Sequence, residues 1–105
     1  DLAAAHGIVA IFASVLPVHG YTESARDYFA LRPPAKIEEL NRWLEAYCAG
    51  HGCHYLDYAS HMLDAAGLLR RELADDGLHP NAAGYAVMAP LAEVAIRAVL
   101  GPAPR

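Results

Sequence analysis

Residues 8–16 read Ile8-Val-Ala-Ile-Phe-Ala-Ser-Val-Leu16, and this stretch decides the fold class. It is short, unbroken and rich in β-branched and apolar side chains. That is the pattern of a strand buried on both faces of a parallel sheet. Pro17 ends the strand, since proline cannot donate to a sheet ladder. Before it, residues 1–6 predict the last turn of a helix, which Gly7 stops.

A helix and a second strand are predicted downstream of a loop at residues 17–34. Pro33 and Pro34 suit a helix start, where a missing N–H costs nothing. Apolar residues then recur at helical spacing, which predicts a helix with its apolar face toward the core: Ile37, Leu40, Trp43, Leu44, Tyr47 and Cys48. Gly50 and Gly52 end this helix, and residues 54–58 predict a short strand. Strand, helix and strand form a βαβ unit, which implies parallel strands and a right-handed crossover.

The last third of the chain predicts a turn followed by a long helix. Residues 60–75 are weakly helical, and residues 75–81 form a turn cluster. Asn81 is a good N-cap for a final helix over residues 82–100, which Pro90 should kink or divide. Tyr85 is expected in the core, as are the apolar positions Val87, Leu91, Val94, Ala95 and Ala98. Residues 101–105 predict a disordered tail. Two strands alone are marginal, so the sheet is expected to continue N-terminal to Asp1.

Composition excludes several classes of protein. The chain has 105 residues, of which 55% are hydrophobic and 19% charged, and its net charge is −4. It therefore predicts one domain or part of one. Without a basic stripe, neither nucleic acid nor an anionic membrane surface is an expected partner. The longest apolar run, residues 7–18, is too short to span a bilayer, so no transmembrane segment is predicted. The first residues do not resemble a signal peptide.

Cysteines and histidines are both weak candidates for a metal site. Cys48 and Cys53 are either two free thiols or a local disulfide across the glycine turn between them, and the compartment stays open. His51, His54 and His61 lack the spacing of a metal-binding set. We therefore predict no metal site.

The chemistry is concentrated in an acid and a histidine three residues apart, Asp76 and His79. On a turn that enters a helix, the two side chains can point the same way. The carboxylate can then accept from one imidazole nitrogen and leave the other free as a base. Spacing alone favours the other interpretation, a turn aspartate that caps backbone amides beside a surface histidine.

The surrounding sequence resembles a known family. The run Asp76-Gly-Leu-His-Pro-Asn-Ala-Ala-Gly-Tyr85 is similar to the last conserved block of the SGNH (GDSL-type) serine hydrolases. The segments 13–18, 37–44 and 55–58 resemble that family's penultimate strand, following helix and last strand, in the same order. The resemblance covers nearly the whole chain.

This resemblance implies a fold, an activity and two site residues. The family fold is a flavodoxin-like three-layer α/β/α sandwich with a five-stranded parallel sheet. Residues 1–105 would be the C-terminal part of that single domain, with about two strands and the final helix. Members are esterases, lipases and acylhydrolases that use no metal or organic cofactor. Asp76 matches the aspartate of their Ser-His-Asp triad, and His79 matches the base that activates serine.

Two family motifs are missing from the chain. It contains neither the Gly-Asp-Ser of the nucleophile nor the Gly-x-Asn-Asp of the oxyanion hole. The nucleophile is therefore expected upstream of this chain, and the isolated chain is expected to be inactive. Ser14 lies in the first strand and is interpreted as a packed strand serine.

The possible partners follow from these assignments. His19 and Tyr21 come after the carboxyl end of the first strand, where open α/β sheets bind ligands, so they either line a substrate pocket or form an ordinary surface loop. The expected substrate is a small-molecule ester, with a homo-oligomer or pairing with the missing N-terminal half as further possibilities. The alternative function is a non-catalytic truncated relative, or an interaction module that pairs through its sheet edge.

Overall fold

The computed structural model describes residues 2–101, and their order of elements follows the predicted βαβ pattern with additions. The helices are α1 (Leu2–Ala5), α2 (Arg26–Leu31), α3 (Pro34–His51) and α4 (Ala82–Leu100). The strands are β1 (Ile11–Ala13) and β2 (His54–Leu56), and short 3₁₀ helices cover Ala59–His61 and Arg71–Leu73. The predicted tail lies outside the described residues except for Gly101.

β1 and β2 pair in parallel, which confirms the predicted strand–helix–strand unit. Ile11 lies opposite His54, Phe12 opposite Tyr55 and Ala13 opposite Leu56. α3 connects the two strands and begins and ends as predicted. Pro33 is its N-cap in extended backbone, and Gly52 ends it with a φ of 72°, in the left-handed region that glycine adopts without strain.

The first strand is shorter and more exposed than its sequence predicts. Ladder pairing covers residues 11–13 and not 8–16. Ile8 is 61% exposed, and Phe12 and Val15 are also exposed. The prediction of burial on both faces is therefore wrong for the described chain. Burial of a sheet strand needs neighbours on both edges, and within residues 2–101 β1 pairs with β2 alone.

Where the β1–β2 pairing ends, hydrogen bonds from two side chains replace those of the strands. The amide of Asn41, in the middle of α3, accepts from the Val15 N–H at 2.7 Å and donates to the Val15 carbonyl at 2.9 Å. The buried Ser14 hydroxyl accepts from the N–H groups of Tyr58 and Ala59, at 3.0 and 2.9 Å. These bonds tie the chain leaving β1 to α3 on one side and to the end of β2 on the other. Ser14 is thus a packed residue, as expected.

The face that α3 buries differs from the predicted one. Its buried residues are Ile37, Asn41 and Cys48. Trp43 is 59% exposed and Leu40 is also exposed, so their assignment to the core is wrong. The Trp43 ring instead stacks on Tyr47 at 5.3 Å between centroids, and Tyr47 stacks on His51 at 4.0 Å. Partial stacking of neighbouring rings along the helix replaces burial.

Two segments between the main elements differ from their prediction. α2 forms inside the predicted loop at 17–34, because residues 26–31 can adopt a short helix despite the surrounding glycine and prolines. Residues 60–75 contain no α-helix. Asp64 Oδ1 accepts from the N–H groups of Ala66 and Leu68, and a bridge joins Leu63 to Leu69, so this segment turns back on itself at Gly67.

A small core cluster lies beneath the turn that precedes α4. Its buried members are Met62, Leu69, Leu73 and Ala74, and the partly buried side chains packed against them are Leu16, Tyr58, Val87 and Met88. The cluster joins the loop after β1 to the first turns of α4. It therefore supports the segment that carries Asp76 and His79.

α4 is one continuous helix from its predicted N-cap, Asn81, and Pro90 does not divide it. Tyr85 is 59% exposed and Val94 is exposed as well, so their assignment to the core is wrong. Within residues 2–101, α4 is the one helix that is long and apolar enough to cross a membrane, by length and composition only. A single such helix is weak evidence, and the absence of a transmembrane segment stays a prediction.

The Asn41 side chain should be essential to stability. We expect Asn41→Ala to lower the free energy of unfolding by about 1–3 kcal/mol, because it leaves the N–H and carbonyl of Val15 without partners. The neighbouring Arg42→Ala is the control. Arg42 makes an exposed ion pair with Glu38, so its loss should change stability by less than about 0.5 kcal/mol. Urea unfolding measures both, and equal losses would contradict this role for Asn41.

Candidate active site

The loop between Leu73 and α4 holds Asp76 and His79 in direct contact. One carboxylate oxygen, Asp76 Oδ2, lies 2.6 Å from His79 Nδ1. The other, Oδ1, accepts from the backbone N–H groups of Leu78 and His79, each at 2.8 Å. Both oxygens are therefore occupied, and the carboxylate is oriented by the backbone of its own turn. The capping role and the acid–base geometry that the sequence left as alternatives coexist here.

These bonds decide which nitrogen of His79 carries the proton. The His79 side-chain bond, followed by the two backbone N–H donors, holds the pKa of the Asp76 carboxyl well below its usual value. An ionised carboxylate only accepts, so Nδ1 must be the donor. In the neutral ring, Nε2 then keeps its lone pair. This is the arrangement that a general base needs.

His79 presents that free nitrogen to the outside of the described chain. Its side chain is 77% exposed, and that of Asp76 is 41% exposed. Within residues 2–101, no serine hydroxyl forms a hydrogen bond with His79. Against the part of the chain that the structure describes, the ring is neither buried in packing nor used in a hydrogen bond through Nε2.

The end of the loop is fixed to α4 by Asn81. Its side-chain oxygen accepts from the Gly84 N–H at 3.0 Å, and its amide donates to the Glu72 carbonyl and to Asp75 Oδ1 at 3.1 and 2.9 Å. A Cβ on Gly84 would lie 2.6 Å from the Leu73 carbonyl oxygen. The first turn of α4 can pack this closely because residue 84 is glycine, which gives a physical reason for the His-Pro-Asn-x-x-Gly pattern.

The two predicted pocket residues, His19 and Tyr21, lie against the same loop. The His19 N–H donates to the Gly77 carbonyl at 2.9 Å, and its ring Nε2 is 3.9 Å from Asp64 Oδ2. The Tyr21 hydroxyl is 2.6 Å from the carbonyl oxygens of both Ala74 and Asp75. The structure thus brings all four predicted site residues to one region. Contact of His19 and Tyr21 with a substrate stays a prediction.

Thr22 belongs to this region, although no pattern in the sequence points to it. Its hydroxyl oxygen lies 2.7 Å from the Asp76 carbonyl oxygen. A threonine in a polar loop carries no signal in a single sequence, because its partner is 54 residues away. Such a contact can be recognised only once the fold has brought the two loops together.

The remaining candidates lie elsewhere or are not assembled. Cys48 and Cys53 are free thiols, and burial followed by the neighbouring Cys53 raises the pKa of Cys48 to about 11. No group of three potential metal ligands occurs in the part of the chain that is described. A cavity of about 400 Å³ lies between α3 and the turn after β2, lined in part by Ile37, Asn41 and Leu63, and includes neither Asp76 nor His79.

Comparison with known proteins gives a consistent result. A family model described as GDSL-like lipase/acylhydrolase matches residues 1–87, which include both Asp76 and His79. Among curated proteins, no sequence matches.

Solved structures show the same likeness. A Bacteroides fragilis protein assigned as an acylhydrolase is 34% identical with a TM-score of 0.79, over 95% of this chain and 47% of its own. A GDSL-like lipase from Bacteroides thetaiotaomicron is 31% identical with a TM-score of 0.79, over 93% of this chain and 47% of its own. The chain therefore spans about half the length of these structures. The likeness confirms the predicted α/β fold class.

Asp76 should make stability depend on pH. Its pKa in the folded chain lies below the ordinary value of 3.8, so its bonds stabilise the fold above about pH 4 and are lost as pH falls toward the depressed folded-state pKa. We expect Asp76→Asn to be destabilising at about pH 7, with a difference from wild type that shrinks at about pH 2. Urea unfolding at both values measures this. Glu39→Gln, which removes an exposed carboxylate with no hydrogen bond among the described residues, is the control. A difference for Asp76→Asn that stays constant with pH would contradict the assignment.

Gly77 should tolerate no side chain. Gly67 and Gly77 share a positive φ, 79° and 80°, but a Cβ at Gly67 meets open space, whereas one at Gly77 would lie 2.1 Å from the His19 carbonyl oxygen. Gly67→Ala should therefore cost about 1–2 kcal/mol from the backbone conformation alone. Gly77→Ala should cost roughly 3 kcal/mol or more, because the clash is with backbone. Thermal unfolding of the two variants tests the difference, and similar losses would contradict the close approach.

Proposed function

Because the chain belongs to the GDSL-like lipase/acylhydrolase family of SGNH-type hydrolases, we propose that it carries the acid–base pair of an ester hydrolase. His79 is the general base and Asp76 orients it. The observation that carries this proposal is the 2.6 Å bond between His79 Nδ1 and Asp76 Oδ2, which leaves Nε2 free and exposed. The substrate class is a carboxylic ester of a small molecule, as the family's activity implies.

In the proposed reaction, Nε2 of His79 accepts and returns a proton in each of two steps. A serine hydroxyl attacks the ester carbonyl carbon while Nε2 of His79 takes the hydroxyl proton. The ring then carries a positive charge, which the Asp76 carboxylate stabilises through the Nδ1 hydrogen bond. The protonated ring gives its proton to the leaving alcohol, and the acyl group stays on serine. Water, deprotonated in turn by Nε2, attacks the acyl carbon, and the ring returns that proton to the serine oxygen as the carboxylic acid leaves.

The serine of this proposal lies upstream of Asp1. Ser14 is buried and accepts from two backbone amides, the Ser60 hydroxyl donates to Asp57, and among the described residues neither forms a hydrogen bond with His79. Ser24 lies in the loop beside Thr22, at 3.3 Å between hydroxyl oxygens. The chain also spans about half of the matched structures, in keeping with a second contribution of comparable length.

A second candidate is a non-catalytic interaction module. The exposed apolar side chains of Phe12 in β1 and of Ile8 and Val9 just before it favour this candidate, since open strand edges recruit partners. A module has no need for a base with a free nitrogen. The Asp76–His79 geometry therefore favours the hydrolase.

His79 should be required for labelling of the serine. In the protein that joins this chain to its upstream serine, we expect His79→Ala to abolish reaction with a fluorophosphonate probe. It should also lower kcat for p-nitrophenyl acetate by roughly 10²–10⁴-fold, because the serine loses its base. His6→Ala, at another exposed histidine, is the control and should leave both unchanged. Full labelling of the His79→Ala protein would rule out the assignment.

The chain by itself should not turn over esters. We expect residues 1–105 to hydrolyse p-nitrophenyl acetate without saturation and at a rate near that of free imidazole, because a base without a nucleophile gives only background catalysis. Saturable hydrolysis that survives His79→Ala would show that a different site in this chain is active.

A further inference from the structure

The loop that carries Asp76 is held by a neighbouring segment far away in sequence. Residues His19–Thr22, here called the clasp, make hydrogen bonds to carbonyl oxygens of residues 74–77. The His19 N–H donates to Gly77 at 2.9 Å, the Tyr21 hydroxyl lies 2.6 Å from the Ala74 and Asp75 oxygens, and the Thr22 hydroxyl lies 2.7 Å from the Asp76 oxygen. The single Tyr21 proton is donated to one of the two carbonyls or shared between them, so the clasp reaches the carbonyl oxygens of all four residues with three donors.

Among the described residues, the carbonyls of Asp75, Asp76 and Gly77 have no other hydrogen-bond partner, whereas that of Ala74 also accepts from the Gly77 N–H at 3.2 Å. The Asp76 carboxylate bonds orient His79 relative to Asp76, but they do not fix the turn relative to the sheet. Each hydroxyl of Tyr21 and Thr22 has one proton, and a carbonyl oxygen can only accept, so both hydroxyls donate toward the loop. These bonds connect the turn to the segment that follows β1.

The clasp residues are themselves held in place. The Tyr21 ring packs edge-on against His19 at 5.2 Å, and the Arg71 guanidinium lies over its face at 4.8 Å. The Thr22 hydroxyl also accepts from the N–H of the buried Ala25 at 3.2 Å, which ties it to the start of α2. Because these contacts fix Tyr21 and Thr22, their hydroxyl groups can hold the 74–77 turn in place.

We propose that Tyr21 and Thr22 are positioning residues that orient the Asp76–His79 pair toward its nucleophile through the carbonyls of the 74–77 turn. This role rests on the proposed function for its effect on turnover. It differs from a substrate-lining role for Tyr21, because the hydroxyl that would meet substrate is used to donate to the protein. A displaced base loses rate and leaves substrate affinity intact, since a misplacement of about 1 Å costs about 10²-fold.

The test uses hydroxyl deletions that keep the packing. Tyr21→Phe retains the ring contacts, Thr22→Val retains the shape, and Thr22→Ser restores the hydroxyl. Tyr28→Phe is the matched control, because Tyr28 is exposed and its hydroxyl has no hydrogen bond among the described residues. In the protein that includes the upstream serine, we expect Tyr21→Phe and Thr22→Val each to lower kcat about 10–100-fold with KM within about twofold. Thr22→Ser and Tyr28→Phe should stay near wild type.

A spectroscopic readout separates this proposal from the proposed function. In the 105-residue chain, the nitrogen-15 shifts of the His79 ring and the low-field Nδ1 proton report the bond to Asp76 without any turnover. Amide shifts at residues 74–79 report the position of the turn. We expect Tyr21→Phe and Thr22→Val to shift these amides and broaden or lose the Nδ1 proton signal, with Thr22→Ser restoring both.

Each outcome bears on one proposal. Unchanged His79 and amide signals in both deletion variants would overturn the positioning role. A rise in KM at constant kcat for Tyr21→Phe would also overturn it, in favour of substrate contact. Altered signals in a protein that lacks esterase activity even as wild type would retain the clasp and reject the hydrolase. If Tyr21→Phe does not fold, the Thr22→Val and Thr22→Ser pair decides alone.

Discussion

The backbone of the loop after β1 runs directly against the backbone at Gly77, and the location of the Asp76–His79 pair depends on this contact. A Cβ at residue 77 would lie 2.1 Å from the His19 carbonyl oxygen, so the approach requires glycine. The positive φ of 80° at Gly77 turns the chain so that the N–H groups of Leu78 and His79 face the Asp76 carboxylate. Gly77 thus permits both the close contact with the His19 backbone and the backbone conformation of the turn itself.

Charge and exposure in this turn suit a base that works with a group outside the described residues. The low pKa of Asp76 arises from hydrogen bonds, led by the one from His79, and burial opposes it. The Asp76 carboxylate can therefore remain ionised and oriented while the pair is largely open to solvent. If burial controlled the pKa values of a catalytic pair, the pair would reach its working protonation state only after the surrounding pocket was complete. The geometry of this pair is formed by hydrogen bonds within residues 76–79.

The sequence predicts local relationships well and distant ones poorly. Asp76 and His79, Asn81 as the N-cap of α4, and the proline and glycine boundaries of α3 all involve residues close together in the chain, and each can be predicted. The bonds from Asn41 to Val15, 26 residues away, and from Thr22 to Asp76, 54 residues away, leave no trace in residue spacing. The predicted burial of residues 8–16, Trp43 and Tyr85 is wrong because burial depends on what surrounds an element, and a pattern shows only what an element could bury. The helix at 26–31 escapes prediction because the prolines and glycine around it favour a loop.

The span of the clasp imposes an order on folding. The Asp76–His79 bond joins residues three apart and can form in a short peptide, whereas the Tyr21 and Thr22 bonds close loops of more than fifty residues and incur the entropy of that closure. The Asp76–His79 hydrogen bond can therefore form before the position of the turn relative to the strands is fixed. Only after β1, α3 and β2 have come together does the turn acquire a direction. A local opening that broke the clasp bonds would therefore release the turn from the segment after β1, while the Asp76–His79 bond, formed within residues 76–79, could persist.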